Sequence, residues 1–73
     1  MEIYIERIKK IRKEKKITQK EISITLKMKQ QQYSRYEKCN NQLPIDTFIK
    51  IADYLNTDTN YLLGFTDNPK PLH

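Results

Sequence analysis

Apolar residues recur at three- and four-residue intervals through most of the chain, and no stretch alternates as a half-buried strand would. Tyr4, Ile8 and Ile11 form the first stripe, with Ile5 at its flank and lysines, arginines and glutamates on the other side, which predicts a helix from about Glu2 to Lys15. Thr18 followed by Glu21 has the spacing of a capping box, with Ile17 and Ile22 placed as a hydrophobic staple, so a second helix runs from Thr18 to Thr25. A third covers about Lys29 to Lys38, and its Tyr33 and Tyr36 continue the inward face begun by Ile22, Leu26 and Met28. Cys39 to Leu43 reads as a polar connection. Pro44 suits the first turn of a fourth helix ending near Asn56, with Ile45, Phe48, Ile49, Ala52 and Leu55 as its buried face. Asp58 can cap a last short helix through Leu63, and Gly64 can end it in a left-handed conformation. Phe65 to His73, with Pro69 and Pro71, reads as an extended tail. The expected architecture is all-α, with five helices in a domain over 1–64 and a tail over 65–73.

Removing the inward face from the second and third helices leaves Gln19, Lys29, Gln30, Gln31, Ser34 and Arg35 outside. Glutamine can bond adenine at N6 and N7 together, and arginine can bond guanine at O6 and N7. Successive helical residues turn by about 100°, so three consecutive glutamines cannot share one face. Gln31 and Arg35 form one row and Gln30 and Ser34 the next, whereas Gln32 stands four residues before Tyr36, nearer the core. Helix geometry therefore favours Gln30, Gln31 and Arg35 over Gln32 for contact with base edges. A plain solvated helix surface is the competing interpretation of the glutamine run.

Composition sharpens the choice of partner. Seventy-three residues bound the chain to one small domain, and a formal charge of +5 favours a polyanion. Many small proteins are basic for solubility alone, so the charge supports the motif and does not replace it. No apolar run is long enough for a membrane span, and MEIYIERIKK lacks the order of a signal peptide. Cys39 is the sole cysteine, so no internal disulfide forms and the cytoplasm is the expected compartment. Abundant isoleucine, lysine, asparagine and tyrosine suggest an AT-rich genome, as in a low-GC bacterium or its mobile elements. Cys39 and His73 lack metal-ligand spacing, and Asp46, Asp53, Asp58 and Asp67 have no nucleophile or phosphate loop beside them. No cofactor, small-molecule ligand, metal or enzymatic activity is expected.

The pieces ITQKEI, SRYE and YLLG, with Thr18, Gln19, Glu21, Tyr33, Glu37 and Leu62 in register, resemble the lambda-repressor-like helix-turn-helix family of the Cro/C1 or XRE type. The resemblance runs from about Ile5 to Gly64. It implies that the helix beginning near Lys29 enters a major groove, while Gln19 touches the phosphate backbone and buttresses the first base-reading residue. It implies base-reading positions at Gln30, Gln31 and Arg35, with Ser34 and Lys29 beside them, and further phosphate contacts from Lys29, Lys38, Asn40 and Asn41. Arg12 and Glu37 fall where the family pairs its first and third helices. The last helix often makes the family's two-fold contact, which points to Tyr61, Leu62 and Phe65. The chain departs from the family where glycine is usual, at Lys16, Lys27 and Cys39, and Lys29 stands where Ser or Thr normally caps.

Two function classes follow from this pattern. The first is a DNA-binding transcriptional regulator, a repressor of phage or mobile-element type, working as a homodimer on a palindromic double-stranded operator. It would be controlled by its own concentration, or be the amino-terminal part of a longer regulator. The second is an antitoxin or adaptor whose main partner is a protein, although no long acidic or disordered tail accompanies the fold. Peripheral membrane binding by the basic first helix is a poorer fit, because its apolar stripe is used in the core.

Overall fold

The computed structural model describes residues 2–71. Met1, at the start of the expected domain, and Leu72 and His73, at the end of the expected tail, lie outside the described residues. Among the described residues the only regular elements are five helices: α1 (Ile3–Glu14), α2 (Gln19–Thr25), α3 (Gln30–Glu37), α4 (Ile45–Tyr54) and α5 (Thr59–Leu63). None is long and apolar enough to cross a membrane.

α1 packs mainly on α5 and also on α3, α2 pairs with α3, and α4 closes on α5. Ile5, Ile8 and Ile11 of α1 meet Ile22, Tyr33, Tyr36, Phe48, Ile51, Leu55 and Leu62 in one core. Tyr4, placed by the pattern within the first stripe, is half-buried at the core edge, where its ring meets Phe48 edge-on at 5.9 Å. The stripe is centred on Ile5, Ile8 and Ile11 instead.

α4 departs further from expectation. Its buried row is Phe48, Ile51, Ala52 and Leu55, while Ile45 and Ile49 are 70% and 55% exposed. Apolar residues cover a wide arc of this helix, and α5 together with Tyr4 selects which part of that arc faces inward. Pro44 stands one position earlier than expected, as the N-cap residue with φ −63° and ψ 149°.

The connections share one device. Lys15, Leu26, Lys38 and Leu55 end the first four helices, and the next residues, Lys16, Lys27, Cys39 and Asn56, have φ between 51° and 60°. Gly64, at φ 89°, does the same after α5. Each turn closes with paired hydrogen bonds, as where Lys27 N donates to Ile24 O and Met28 N to Ser23 O. All five helices therefore end in Schellman motifs, four of them without glycine. Gly64 has a further constraint, since a Cβ there would lie 3.0 Å from Ile3 Cδ1.

The tail is anchored rather than simply extended. Asp58 N donates to Lys70 O, and Arg7 reaches Thr66 O and Asp67 Oδ1, at 2.7 and 2.9 Å. The prolines exclude a helix there, but carbonyl groups remain free to accept.

Candidate nucleic-acid interface

The α2–α3 unit is fixed at both ends of its turn. Thr18 Oγ1 accepts from Glu21 N at 3.0 Å and Glu21 Oε1 accepts from Thr18 N at 3.1 Å, so the expected capping box starts α2. The left-handed Lys27 reverses the chain, and Lys29 begins α3 without any side-chain cap. Tyr33 and Tyr36, three apart, turn into the core and set the rotation of α3. Gln30, Gln31 and Arg35 are consequently exposed and Ser34 is half-buried. Together with Gln19, Lys38 and Asn40 they line one shallow concavity of about 480 Å³. Lys29 and Asn41 are not in that lining. Asn41 instead borders a smaller recess beside Tyr4 and Cys39. Gln32 leans aside and donates to the Tyr36 hydroxyl at 3.3 Å.

Behind this surface lies a buried carboxylate. Arg12 Nε donates to Glu37 Oε2 at 2.7 Å and Nη2 to Oε1 at 3.1 Å, a bidentate pair. Arg12 Nη1 also donates to Ile17 O at 2.7 Å, which ties the pair to the entry of α2. Gln19 Nε2 donates to Glu37 Oε1 at 3.0 Å, and the Tyr33 hydroxyl donates to Oε2. Burial alone would push the Glu37 carboxyl up. Hydrogen bonds from Arg12, Tyr33 and Gln19, with the charge of Arg12, outweigh it and hold the group below the usual carboxylate range. Burial and the Glu37 carboxylate push the Tyr33 hydroxyl well above its ordinary value. No buried side-chain nitrogen or oxygen among the described residues lacks a partner.

The family resemblance pointed to Arg12 and Glu37, and pattern reasoning missed what Tyr33 and Gln19 add. The four-residue step from Tyr33 to Glu37 was a legible signal, because such residues adjoin on a helix. It missed Arg7 altogether. That guanidinium donates to Tyr61 O at 2.6 Å as well as to the tail, and stacks 4.4 Å above the Tyr61 ring. Arg7 is separated from these partners by more than fifty residues, and no local pattern announces it.

This clamp bears on the expected two-fold contact. Tyr61 and Leu62 are 4% and 0% exposed and belong to the monomer's own core, so neither is available to a partner. Leu62 fills the centre of the fold and Tyr61 supports Arg7. Phe65 is 79% exposed. Ile3, Leu63, Ile45 and Ile49 are exposed as well, and Tyr4, Leu43, Pro44, Ile45, Phe48 and Leu63 line an apolar groove of about 440 Å³.

The profile of a family described as a helix-turn-helix domain matches residues 5–66. An uncharacterised HTH-type transcriptional regulator of Bacillus subtilis, YobD, is 28% identical over 69 residues, which cover 94% of this chain and 62% of that protein. The chain thus spans less than two thirds of the length of this relative. No solved structure matches the chain significantly.

Proposed function

Because the chain belongs to the helix-turn-helix domain family, we propose that it is a sequence-specific regulator of transcription that reads double-stranded DNA through α3. The observation that carries this reading is the outward polar edge of Gln30, Gln31, Ser34 and Arg35, held rigid from behind by two buried tyrosines. Its side chains match base edges, and the position of α3 at the surface leaves them free to enter a major groove. Lys29, Lys38, Asn40 and Asn41 supply polar groups at both ends of α3 for phosphates, which set register and carry no sequence information. The uncapped start of α3 suits a phosphate as its missing acceptor.

The working form is a repressor of phage or mobile-element type, a homodimer on a palindromic operator, with α3 of each copy in grooves about 34 to 36 Å apart. The exposed Phe65 and the apolar groove that Leu63 helps to line support the second copy, in place of Tyr61 and Leu62. Phe65→Asp is expected to shift sedimentation on operator DNA from a two-copy to a one-copy complex while leaving helicity unchanged. Retention of the two-copy complex would place the contact elsewhere. The same groove is the observation favouring the second reading, an adaptor or antitoxin with a protein partner, which co-purification with an untagged protein would support.

The base-reading assignment is tested by Gln30→Ala. Its affinity for operator DNA is expected to fall by about 1 to 3 kcal/mol, with little change on scrambled duplex. Equal losses on both would mean that Gln30 touches backbone only.

A further inference from the structure

Resting on the DNA-binding reading above, we propose that Lys9, Lys13 and Lys16 form a ridge that grips the phosphate backbone beyond the bases facing α3. Residues 9–20 hold seven of the 14 lysines and arginines and one of the nine acidic residues, so the rest of the chain carries one net negative charge. The basic character of the protein is local to the second half of α1 and its turn into α2. Within that stretch the charges are sorted by face. Glu6, Lys10 and Glu14 stand four apart, so their row alternates in sign and neutralises itself. Ile5, Lys9 and Lys13 form an adjoining row with no acid in it, and like charges at this spacing repel. The ion pairs Arg7–Asp67 and Arg12–Glu37 involve neither lysine. Lys13 can offset the dipole at the carboxyl end of α1, but Lys9 stands more than a turn from that end.

The ridge lies on the flank of α1 that adjoins the concavity. Arg7 marks one flank, against Tyr61 and the tail, and Arg12 marks the other, against Glu37 at the end of α3. Lys9 stands four residues after Ile5 and three before Arg12, on the Arg12 side. Glu2 and Ile5 border a recess shared with Cys39 and Asn40, and Asn40 in turn lines the concavity with Lys38 and Gln19. Lys16 continues the row past the helix end, its N–H donating to Lys13 O at 3.0 Å. Arg12 Nη1 holds Ile17 O at 2.7 Å, so the turn from Lys16 to Gln19 is fixed. Lys13 and Lys16 are exposed and Lys9 is half-buried, which leaves a lysine stem on the protein and its ammonium in water. Lys9 and Lys13 lie about 6 Å apart along α1, about two phosphate steps along one strand. Lysine is a compact charge that only donates, so the ridge adds affinity without base preference.

Lys9→Gln/Lys13→Gln/Lys16→Gln in the full chain removes the three charges and keeps good helix formers in α1. Lys10→Gln/Lys50→Gln/Lys70→Gln, the control, removes three exposed lysine charges elsewhere. Both, checked for parental helicity, would be titrated over a salt series against scrambled DNA and an operator selected from random duplexes, each with long flanks. The ridge variant is expected to bind both duplexes more weakly by the same factor. Its slope of log K against log salt should flatten by about 2 to 3 units, at about 0.9 per phosphate contact, while the control keeps the parent slope. Trimming the duplex to the segment covered by α3 should bring the parent to the slope of the ridge variant. If the parent keeps its slope there, the contacts lie inside that segment and the proposal falls. An unchanged slope in the ridge variant, or equal flattening in both variants, would show a solvated face acting through net charge alone and overturn it. If the parent selects no motif, the sequence-reading assignment fails while scrambled DNA still judges the ridge, and binding to no duplex at all overturns both.

Discussion

Replacing Glu37 with glutamine is expected to lower the unfolding free energy by about 3 to 5 kcal/mol. Arg12 and Glu37 are both buried, and the substitution leaves the Arg12 guanidinium out of water without its counter-charge. It also converts an acceptor of four hydrogen bonds into a group that can accept only at its oxygen, opposing the Tyr33 hydroxyl or the Gln19 amide. An exposed ion pair would contribute only about 0 to 1 kcal/mol. Urea denaturation decides between them, and a loss below about half a kcal/mol would show that water screens the pair. At about 0.05 to 0.15 kcal/mol per residue, a loss of about 3 to 5 kcal/mol is a large fraction of the stability available to a domain of this size.

The same carboxylate sets an acid limb. Its folded pKa lies below the unfolded value, so the stability it contributes is complete above the unfolded carboxylate range and is lost as pH falls through the folded value. The parent chain should lose stability on acidification below the ordinary glutamate range, and Glu37→Gln should lose less over that interval. Parallel pH curves would mean that Glu37 titrates alike in both states.

How far the sequence betrayed this fold differs from element to element. The start of α2 and the end of α5 were legible because their signals are local: a threonine and a glutamate three apart, and a glycine after Leu63. The buried face of α4 was not, because Ile45, Phe48, Ile49, Ile51, Ala52 and Leu55 spread over more of the helix than a neighbour can cover. Periodicity locates such a stripe but cannot choose its centre. Arg7 and the Gln19–Glu37 contact were out of reach for another reason. Both depend on carbonyl or carboxylate oxygens brought near by the tertiary fold, and one-dimensional spacing carries no trace of them. The outward set on α3 could be read because two tyrosines three apart define the opposite side.

Lys16, Lys27 and Cys39 lead to the second large effect. Glycine at all three together is expected to stabilise the domain by about 1.5 to 3 kcal/mol. At φ 58°, 58° and 60°, each Cβ crowds the adjoining carbonyl, a cost of about 1 to 2 kcal/mol per residue. Glycine removes that cost but gives the unfolded chain more freedom, which takes back about 0.5 to 1 kcal/mol per site. Strain relief outweighs the added freedom, so the sign is stabilising. None of the three side chains is buried, so no packing is lost, and the two lysine replacements also reduce a net charge of +5. The sites lie in separate turns and should add nearly independently. Each kcal/mol corresponds to about 4 to 8 °C in a domain of this size, so the triple variant should melt at least about 6 °C higher. An unchanged or lower midpoint would mean that the surrounding Schellman hydrogen bonds already offset the strain at these positions. Asn56 is the internal control: asparagine tolerates the left-handed region better than lysine does, so Asn56→Gly should gain less than any of the three.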